Sequence, residues 1–257
     1  TMTASRRTWL RGLAAAGAAA LVSACDRIAG DPAVRAGLRG AERLNLGLHR
    51  VLFDRRTLAR EYPDSAISPD FRANGSIDPA DPAYRALAAG GFADYRLVVD
   101  GLVERPLSLD LAALRALPSR SQVTRHDCVE GWSAIARWTG ARLAPVLDQA
   151  GLKPEARFLV FHCFDTLDPE AGEDGRYYES IDLVDALHPQ TLLAYEMNGA
   201  PLSVAHGAPV RLRVERQLGY KHAKYIRRIE AVADYSHISG GKGGFWEDRG
   251  YEWYAGI

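Results

Sequence analysis

"RFLVFHCF", residues 157–164, is a nearly continuous apolar run that contains three phenylalanines. Helices in globular proteins usually extend over about ten residues or more, whereas strands of about four to eight residues are ordinary. Aromatic and branched apolar side chains favour strands. The run therefore predicts a strand that is buried on both faces of a sheet.

Strands and short helices are both predicted on either side of this run. Further strands are expected at 95–101, 124–129, 209–215 and 224–235, and a hairpin turn at Asn198–Gly199. Short helices are expected within 108–118, 141–151 and 181–189, with Ser108 and Asp182 as N-caps and Gly151 as a stop. Helices so few and so brief do not build a regular alternation of strand and helix. The sequence therefore predicts a mixed α+β fold.

Composition and charge narrow the class of protein. The chain has 257 residues, of which 47% are apolar and 25% charged, as in globular proteins. Lysine plus arginine number 32, and so do aspartate plus glutamate. This balance does not indicate nucleic acid as a partner, so any anion site requires local clustering of positive charge.

The amino-terminal residues 1–25 resemble an export signal. Arg6 and Arg7 precede a short apolar run, and the pair is similar to a twin-arginine signal. "LVSAC", ending at Cys25, resembles a lipobox, in which the cysteine would carry a lipid. The alternative is an ordinary alanine-rich helix. The export interpretation predicts a periplasmic protein that is anchored to the membrane if Cys25 is lipidated.

The remaining chain is expected to comprise a lead-in segment and one folded domain. Residues 26–69 are arginine-rich and weakly patterned, which predicts an extended lead-in. The domain is expected over 70–257. Turn-prone residues crowd 65–82, and a loop of this length usually wraps a surface or serves a site. The aromatic tail at 243–257 is expected to pack on the domain or to form a docking surface.

A single cysteine and a basic cluster suggest a binding site. Cys128 lies in "RHDCVEGW", residues 125–132, and nearby cations would favour its thiolate, the form that binds metals. The stretch 206–225 is rich in arginine and lysine and is broken by Gly207 and Gly219. Cations, exposed amides and glycine turns suit a phosphate. A soft thiolate beside such a surface suits a metal carried by a phosphorylated organic ligand.

Each feature also has a purely structural interpretation. A lone cysteine is often a small buried apolar residue. The basic stretch could be a solvated face of a sheet. His126, His162 and His222 lack the spacing of zinc ligands and could be ordinary core or surface histidines.

Several motifs together resemble the molybdopterin-binding domain of the sulfite oxidase family. They are "RHDCVEGWSAIARWTG" (125–140), "YYESIDL" (177–183), "NGAPLSVAHGAPVRL" (198–212) and "GYKHAKY" (219–225). They are similar above all to the family's exported bacterial branch, which includes the catalytic subunit of a periplasmic methionine sulfoxide reductase. The resemblance extends from about residue 70 to about 235. It implies a mixed α+β domain that holds a molybdenum–molybdopterin cofactor.

The resemblance assigns roles residue by residue. Cys128 matches the cysteine that binds molybdenum and is therefore the expected catalytic residue. The other positions match contacts to the pterin or its phosphate; they are Asn74, Cys163, His206, Arg211, His222, Ala223 and Lys224. His206 and Cys163 replace an asparagine and a threonine at two of these contacts. Gly75 follows Asn74 where sulfite oxidases have histidine, which argues against sulfite as the substrate.

The implied activity is two-electron oxygen-atom transfer to or from a small molecule. Reduction of a small S- or N-oxide is favoured, and oxidation of sulfite or another small sulfur compound is the alternative. A non-catalytic lipoprotein that binds a ligand or a partner is a second alternative. The chain has no Cys-x-x-Cys-His motif for a c-type haem. Electrons would therefore be exchanged with a separate protein, a membrane cytochrome b or a soluble cytochrome c.

Overall fold

The computed structural model describes residues 28, 31–53 and 55–257. The chain divides between Leu52 and Phe53 into two compact units, and each is described by itself. The expected export signal at 1–25 lies outside the described residues. No helix within the described residues combines the length and the apolarity that crossing a membrane requires.

The described part of the first unit is largely one helix, α1 (Pro32–Leu52). The prediction of an extended lead-in is wrong for this stretch. Val34, Leu38 and Leu48 recur at helical spacing, and this period of 3.6 residues was obscured by glycines and arginines between them.

The second unit contains the remaining elements. The strands are β1 (Leu97–Gly101), β2 (Leu107–Leu109), β3 (Ser119–Asp127), β4 (Ser133–Arg142), β5 (Phe158–Thr166), β6 (Arg176–Asp182), β7 (Leu192–Met197), β8 (Ala200–Pro201), β9 (Arg211–Arg213) and β10 (Ile226–Val232). The α-helices are α2 (Pro82–Ala89), α3 (Leu111–Ala116), α4 (Leu143–Ala150), α5 (Leu183–Ala186) and α6 (Phe245–Asp248). Short 3₁₀ helices occupy Asp64–Ala66, Pro169–Gly175, Val204–His206 and Gly219–Lys221. The predicted α+β class is confirmed.

The first sheet has the strand order β2-β1-β10-β5-β6. β1 and β10 are parallel, with Val99 opposite Ile229, and the other pairings are antiparallel. The predicted strand at 157–164 is confirmed as β5, between β10 and β6. Burial on both faces holds for its first half, whereas His162 and Phe164 are partly exposed because burial alternates there.

The second sheet has the order β3-β4-β7-β8, and β9 also pairs with β7. β3 and β4 form a long antiparallel hairpin whose tip is residues 128–132. β9 pairs with β7 through Leu212 opposite Leu193. The pairing places the basic strand β9 and the Cys128 hairpin in one sheet.

The main core lies between the two sheets and includes α4. Its fully buried members come from both sheets and the helix, and they include Leu97, Leu143, Leu147, Phe161, Leu193 and Ile229. A smaller cluster surrounds the fully buried Trp138 on β4. The indole of Trp138 lies where β9 approaches the β3–β4 hairpin.

Of the residues predicted to cap or end helices, Asp182 and Gly151 are confirmed and Ser108 is wrong. Asp182 caps α5 by accepting a hydrogen bond from the Asp185 amide, and Gly151 ends α4 with φ of 70°, both as predicted. The N-cap of α3 is Asp110 and not Ser108, because the Asp110 carboxylate accepts a hydrogen bond from the Ala113 amide at 2.7 Å.

The second unit begins before residue 70, the expected start of the domain. The amide of Tyr62 donates to the carbonyl of Val123 at 2.9 Å, and that of Ser68 donates to Ile135 at 2.9 Å. These bonds attach residues 62–68 to β3 and β4. The stretch 65–82 is mainly loop, as predicted, and it crosses the edge of the second sheet on its way to α2.

Gly140 tests the packing between β4 and β7. A Cβ at this position would overlap the Leu193 carbonyl oxygen and lie 2.5 Å from the Ala194 Cα, both backbone atoms of β7. Gly140→Ala should therefore lower the free energy of unfolding by about 1–3 kcal/mol, measured by urea denaturation. The control is Gly47→Ala in α1, where no atom lies within 4 Å and a small gain in helix stability is expected. An unchanged unfolding midpoint for Gly140→Ala would contradict this register.

Candidate active site

An open cavity of about 920 Å³ lies where the loop at 71–76, the tip of the β3–β4 hairpin and the segment 219–224 meet. Asp165 and Arg211 also line it. The cavity therefore brings together residues that are remote in sequence. The hairpin tip and Arg211 belong to the second sheet, Asp165 belongs to β5 of the first sheet, and the others lie on connecting segments.

Cys128 is held at the hairpin tip by backbone hydrogen bonds. Its amide donates to the Trp132 carbonyl at 2.9 Å, and its carbonyl accepts from the Gly131 amide at 3.0 Å. Gly131 has φ of 86°, a conformation that favours glycine. The turn leaves the Cys128 thiol partly exposed in the cavity wall.

Asn74 contacts the thiol directly. Its Nδ2 donates a hydrogen bond to the Cys128 Sγ at 3.4 Å. The loop that carries it is fixed by Phe71, whose ring meets Trp138 edge-on with centroids 5.4 Å apart. The expected association of the "FRANG" loop with Cys128 is therefore present.

Lys224 binds both this loop and the 3₁₀ helix Val204–His206. Its ammonium donates to three carbonyls, those of Asn74 at 2.9 Å, Ala205 at 3.0 Å and Ser76. An ammonium has three donors, so all of them are used. Burial and the charge of Arg211 lower the pKa of Lys224 to about 7. The expected contact of Lys224 with a phosphate would thus replace one of these carbonyls.

Arg211 is a buried cation that forms no ion pair with the described residues. It donates to the carbonyls of His206 at 3.1 Å and His222 at 3.4 Å, and its guanidinium lies over the Trp138 ring at 4.9 Å. Its Nε has no hydrogen-bond partner. Burial and the nearby Arg213 lower the pKa of Arg211 to about 9. A bound anion would compensate this charge.

Arg213 shows that the basic strand is not a solvated face. Its side chain is fully buried and forms a bidentate pair with Glu215 at 2.6 and 2.9 Å. It also approaches the His126 Nδ1 at 3.0 Å. Burial and Arg213 hold the pKa of His126 well below its usual value, so the ring is neutral. A neutral His126 accepts from Arg213 through Nδ1.

The two glycines of the basic stretch accommodate protein neighbours. A Cβ at Gly219 would lie 2.5 Å from the His126 Nε2, and one at Gly207, which has φ of 100°, would lie 2.9 Å from the Lys224 Cβ. Gly219 also lines the cavity. Gly219 allows the segment 219–224 to approach the hairpin closely, and Gly207 leaves room for the Lys224 side chain.

The two histidines predicted at the cofactor site differ in whether a ring nitrogen is left free to bind a ligand. Both ring nitrogens of His206 are engaged, with the Ser203 hydroxyl at 2.8 Å and the Phe71 carbonyl at 3.0 Å. His222 donates through Nε2 to the Gln217 carbonyl at 3.0 Å, whereas its Nδ1 has no partner. Burial holds the pKa of His222 well below its usual value. His222 is therefore neutral and offers a free acceptor.

Two predicted contacts do not line the cavity. The thiol of Cys163 is buried in the main core, 3.9 Å from the Phe161 carbonyl, and burial raises its pKa well above the usual value. Ala223 is also buried, and its carbonyl accepts from the Leu212 amide at 2.8 Å. The structure brings the other predicted residues together; they are Asn74, Cys128, His206, Arg211, His222 and Lys224.

Asp165 was missed by the sequence reasoning. It lies on β5 two positions beyond Cys163, lines the cavity and is 3% exposed. Its Oδ1 has no hydrogen-bond partner. Burial raises the pKa of Asp165 to about 7, opposed by the charge of Lys224. The available signal was an acidic residue close after an apolar strand, which is common on surfaces and therefore uninformative by itself.

Aromatic side chains form the mouth of the cavity. Trp246 and Tyr251 stack with centroids 5.3 Å apart, and Tyr251 meets Tyr220 edge-on at 5.3 Å. Trp132 lies on another part of the lining, and the Arg72 guanidinium is 5.8 Å from its ring. The tail from 243 therefore packs on the domain and contributes to the rim of the cavity.

The cavity suits a polar heterocycle that carries a metal. Three buried polar atoms in its walls lack partners: the Arg211 Nε, the His222 Nδ1 and the Asp165 Oδ1. The described residues contain no cluster of three or more His, Cys, Asp or Glu side chains that could hold a metal ion. A metal at Cys128 would therefore take further ligands from a bound organic group. Unused donors and acceptors suit the ring and the phosphate of a pterin cofactor.

Comparison with known proteins identifies the family. Residues 86–238 match the model of the oxidoreductase molybdopterin binding domain. The chain belongs to this family, the molybdopterin-binding oxidoreductases of the sulfite oxidase type. It is accordingly an oxidoreductase that uses a molybdenum–molybdopterin cofactor, which excludes the alternative of a non-catalytic binding protein.

Two relatives and one solved structure illustrate the similarity. The chain is 37% identical over 252 residues to "Putative protein-methionine-sulfoxide reductase subunit YedZ1" of Azospira oryzae, covering 98% of this chain and 88% of that protein. It is 33% identical over 158 residues to "Uncharacterized oxidoreductase YuiH" of Bacillus subtilis, covering 61% and 72%. The sulfane dehydrogenase SoxCD of Paracoccus pantotrophus superposes with a TM-score of 0.49 at 26% identity, over 55% of this chain and 39% of that one.

Lys224 offers a test of how the loop is held. Lys224→Met would remove the donor to the Asn74 carbonyl and one of two donors within reach of the Ser76 carbonyl, the other being the Tyr225 hydroxyl. The cost is about 1–3 kcal/mol for a carbonyl that is left unpaired. The loop 71–76 should then be cut faster in limited proteolysis mapped by mass spectrometry, and the molybdenum content should fall. Lys153→Met, at a partly exposed lysine outside the cavity, is the matched control. Equal cleavage of both variants would show that Lys224 does not hold the loop.

Proposed function

We propose that this enzyme reduces a small S- or N-oxide by two-electron oxygen-atom transfer, with Cys128 as the protein ligand to molybdenum. The single observation that carries the proposal is the position of the Cys128 thiol. It lies in the wall of a cavity that also contains the unpaired cation Arg211 and the unused acceptor of His222. Bound molybdenum supplies the oxygen-atom transfer, and the protein supplies one thiolate, positioning and exclusion of water.

The charge of the mouth favours a neutral substrate. Near Cys128, the cation Arg72 lies 3.9 Å from the Glu130 carboxylate, and both side chains line the cavity. The Trp132 indole donates to the same carboxylate at 3.2 Å. A dianion such as sulfite would be repelled by the Glu130 carboxylate, with which the adjacent Arg72 is already paired. A sulfoxide is neutral and has an apolar end that suits aromatic walls.

The named relative supports an S-oxide as the substrate class. The Azospira oryzae protein carries the name of a protein-methionine-sulfoxide reductase subunit and aligns with nearly the whole chain. The side chain of a methionine sulfoxide combines one polar S=O group with apolar carbons. Trp132, Tyr220 and Tyr251 could contact those carbons while the oxygen is directed towards the metal that Cys128 would hold.

Electron supply and location form part of the same proposal. We propose that a separate redox protein, a membrane cytochrome b or a soluble cytochrome c, exchanges electrons with the enzyme. We also propose export to the periplasm and a lipid on Cys25. The paired Arg6 and Arg7 and the sequence "LVSAC" support export and lipidation.

The two cysteines provide a matched test of the metal ligand. Cys128→Ala should abolish reduction of methionine sulfoxide, dimethyl sulfoxide and trimethylamine N-oxide with a reduced viologen dye as donor. It should also remove the electron-spin resonance signal of pentavalent molybdenum. Cys163→Ala should retain metal and turnover, because its thiol is in the core and not in the cavity lining, and should lose about 1 kcal/mol of stability.

Sulfite with ferricyanide as acceptor distinguishes the direction of catalysis. Turnover of sulfite alone by the wild-type enzyme, with none of the oxides reduced, would replace the proposed activity by sulfite oxidation. Full activity of Cys128→Ala would remove Cys128 from the metal site.

A further inference from the structure

The helix α1 carries exposed apolar side chains that the cavity does not use. Four of them occupy positions i, i+4, i+7 and i+8, a spacing that places them on one face of a helix; they are Leu44, Leu48, Val51 and Leu52. These four residues are between 51% and 83% exposed. Contiguous exposed apolar patches are rare on soluble proteins and usually mark an interaction site. This row, the apolar face of α1, is not explained by the proposed function.

Positive charge is concentrated in the same segment. Residues 32–56 contain six arginines and no lysine, against one glutamate and one aspartate, although the whole chain is balanced in charge. Successive residues of an α-helix are about 100° apart around its axis. Arg43 and Arg50 therefore lie close together on a side of α1 that is turned away from the apolar face. The helix is amphipathic, with aliphatic side chains on one side and arginines on the other.

These properties suit the surface of a membrane that contains anionic lipid. Helices that lie in the plane of a membrane have little overall hydrophobicity, an apolar face, and a polar face rich in arginine or lysine. Anionic headgroups attract such basic segments. An interface with another protein would use the apolar face but would not explain the excess of arginine. Like every helix within the described residues, α1 is not long and apolar enough to cross a membrane.

We propose that α1 binds the surface of a membrane that contains anionic phospholipid. The apolar face would enter the boundary between headgroups and acyl chains, and Arg43 and Arg50 would contact the headgroups. The proposal extends the location proposed above but does not require a lipid on Cys25. A single lipid chain attaches a protein only weakly and reversibly, so α1 would supply a second attachment if Cys25 is lipidated. It would hold the enzyme at the surface where a membrane cytochrome b could exchange electrons with it.

Exchange of backbone amide hydrogens tests the proposal in the full chain. Cys25→Ser removes any lipid, and the protein is mixed with vesicles of phosphatidylglycerol and phosphatidylethanolamine or with vesicles of phosphatidylcholine alone. Deuterium uptake, measured by mass spectrometry, should slow in peptides from α1 with the anionic vesicles only. It should stay unchanged in peptides from α4.

Variants of α1 test its two sides separately. Leu44→Gln combined with Leu48→Gln should weaken binding to the anionic vesicles about tenfold or more, because two apolar side chains no longer leave water. Glutamine forms helices nearly as well as leucine, so the helix itself is kept. Arg43→Gln should weaken binding about fivefold, because one attraction to the headgroups is lost. Leu187→Gln, at a similarly exposed leucine outside α1 and the cavity, is the matched control and should bind like the wild type.

Unchanged exchange in α1 with the anionic vesicles would overturn the proposal, and so would wild-type binding by the double leucine variant. Equal slowing with phosphatidylcholine would overturn the role of anionic lipid. A lower melting temperature of the double variant without vesicles would equally overturn the proposal, because the apolar face would then be covered by protein. The exchange measurement needs no substrate, so a wrong substrate class would leave its result intact.

Discussion

The partly buried ammonium of Lys224 constrains the whole site, because a charge with limited access to water needs hydrogen-bond acceptors inside the protein. It finds them in the carbonyls of Asn74, Ser76 and Ala205. These bonds draw a loop that precedes every strand of the domain against a segment near the end of the chain. Asn74 is thereby placed where its amide reaches the Cys128 thiol at 3.4 Å. The geometry around Cys128, the proposed metal ligand, therefore depends on an interaction with a different segment of the chain.

Sequence patterns predicted the elements whose signals are local. The apolar run of β5, the Asn198–Gly199 turn and the stop at Gly151 each depend on neighbouring residues, and each appears as predicted. Motif resemblance located most of the cavity residues because those motifs are contiguous. It could not show that both nitrogens of His206 are engaged within the protein, nor that the Cys163 thiol lies in the core. Such facts depend on the pairing of distant strands.

Most of the features that sequence reasoning missed also depend on contacts between residues that are distant in sequence. Asp165 is an unremarkable acid in the sequence, and its burial in the cavity wall follows from its place on β5. Arg213 alternates with apolar residues in the manner of a surface strand, yet Glu215 and His126 make its burial tolerable. In α1 the helical period was present but was interrupted by glycine, and an arginine-rich stretch was therefore interpreted as irregular.

Two aromatic residues of the rim come from a part of the chain that is remote in sequence from Cys128, the proposed metal ligand. Trp246 and Tyr251 belong to the final segment, whereas Cys128 belongs to a hairpin in the middle of the sequence. The entrance of the cavity and the proposed ligation of the metal thus depend on separate segments of the sequence. Mutations near the carboxyl terminus could widen, narrow or re-polarise the entrance during evolution while the chemistry inside is preserved. Divergence in this family could then begin at the entrance of the cavity, where each change in the final segment would admit a different substrate to the same reaction centre.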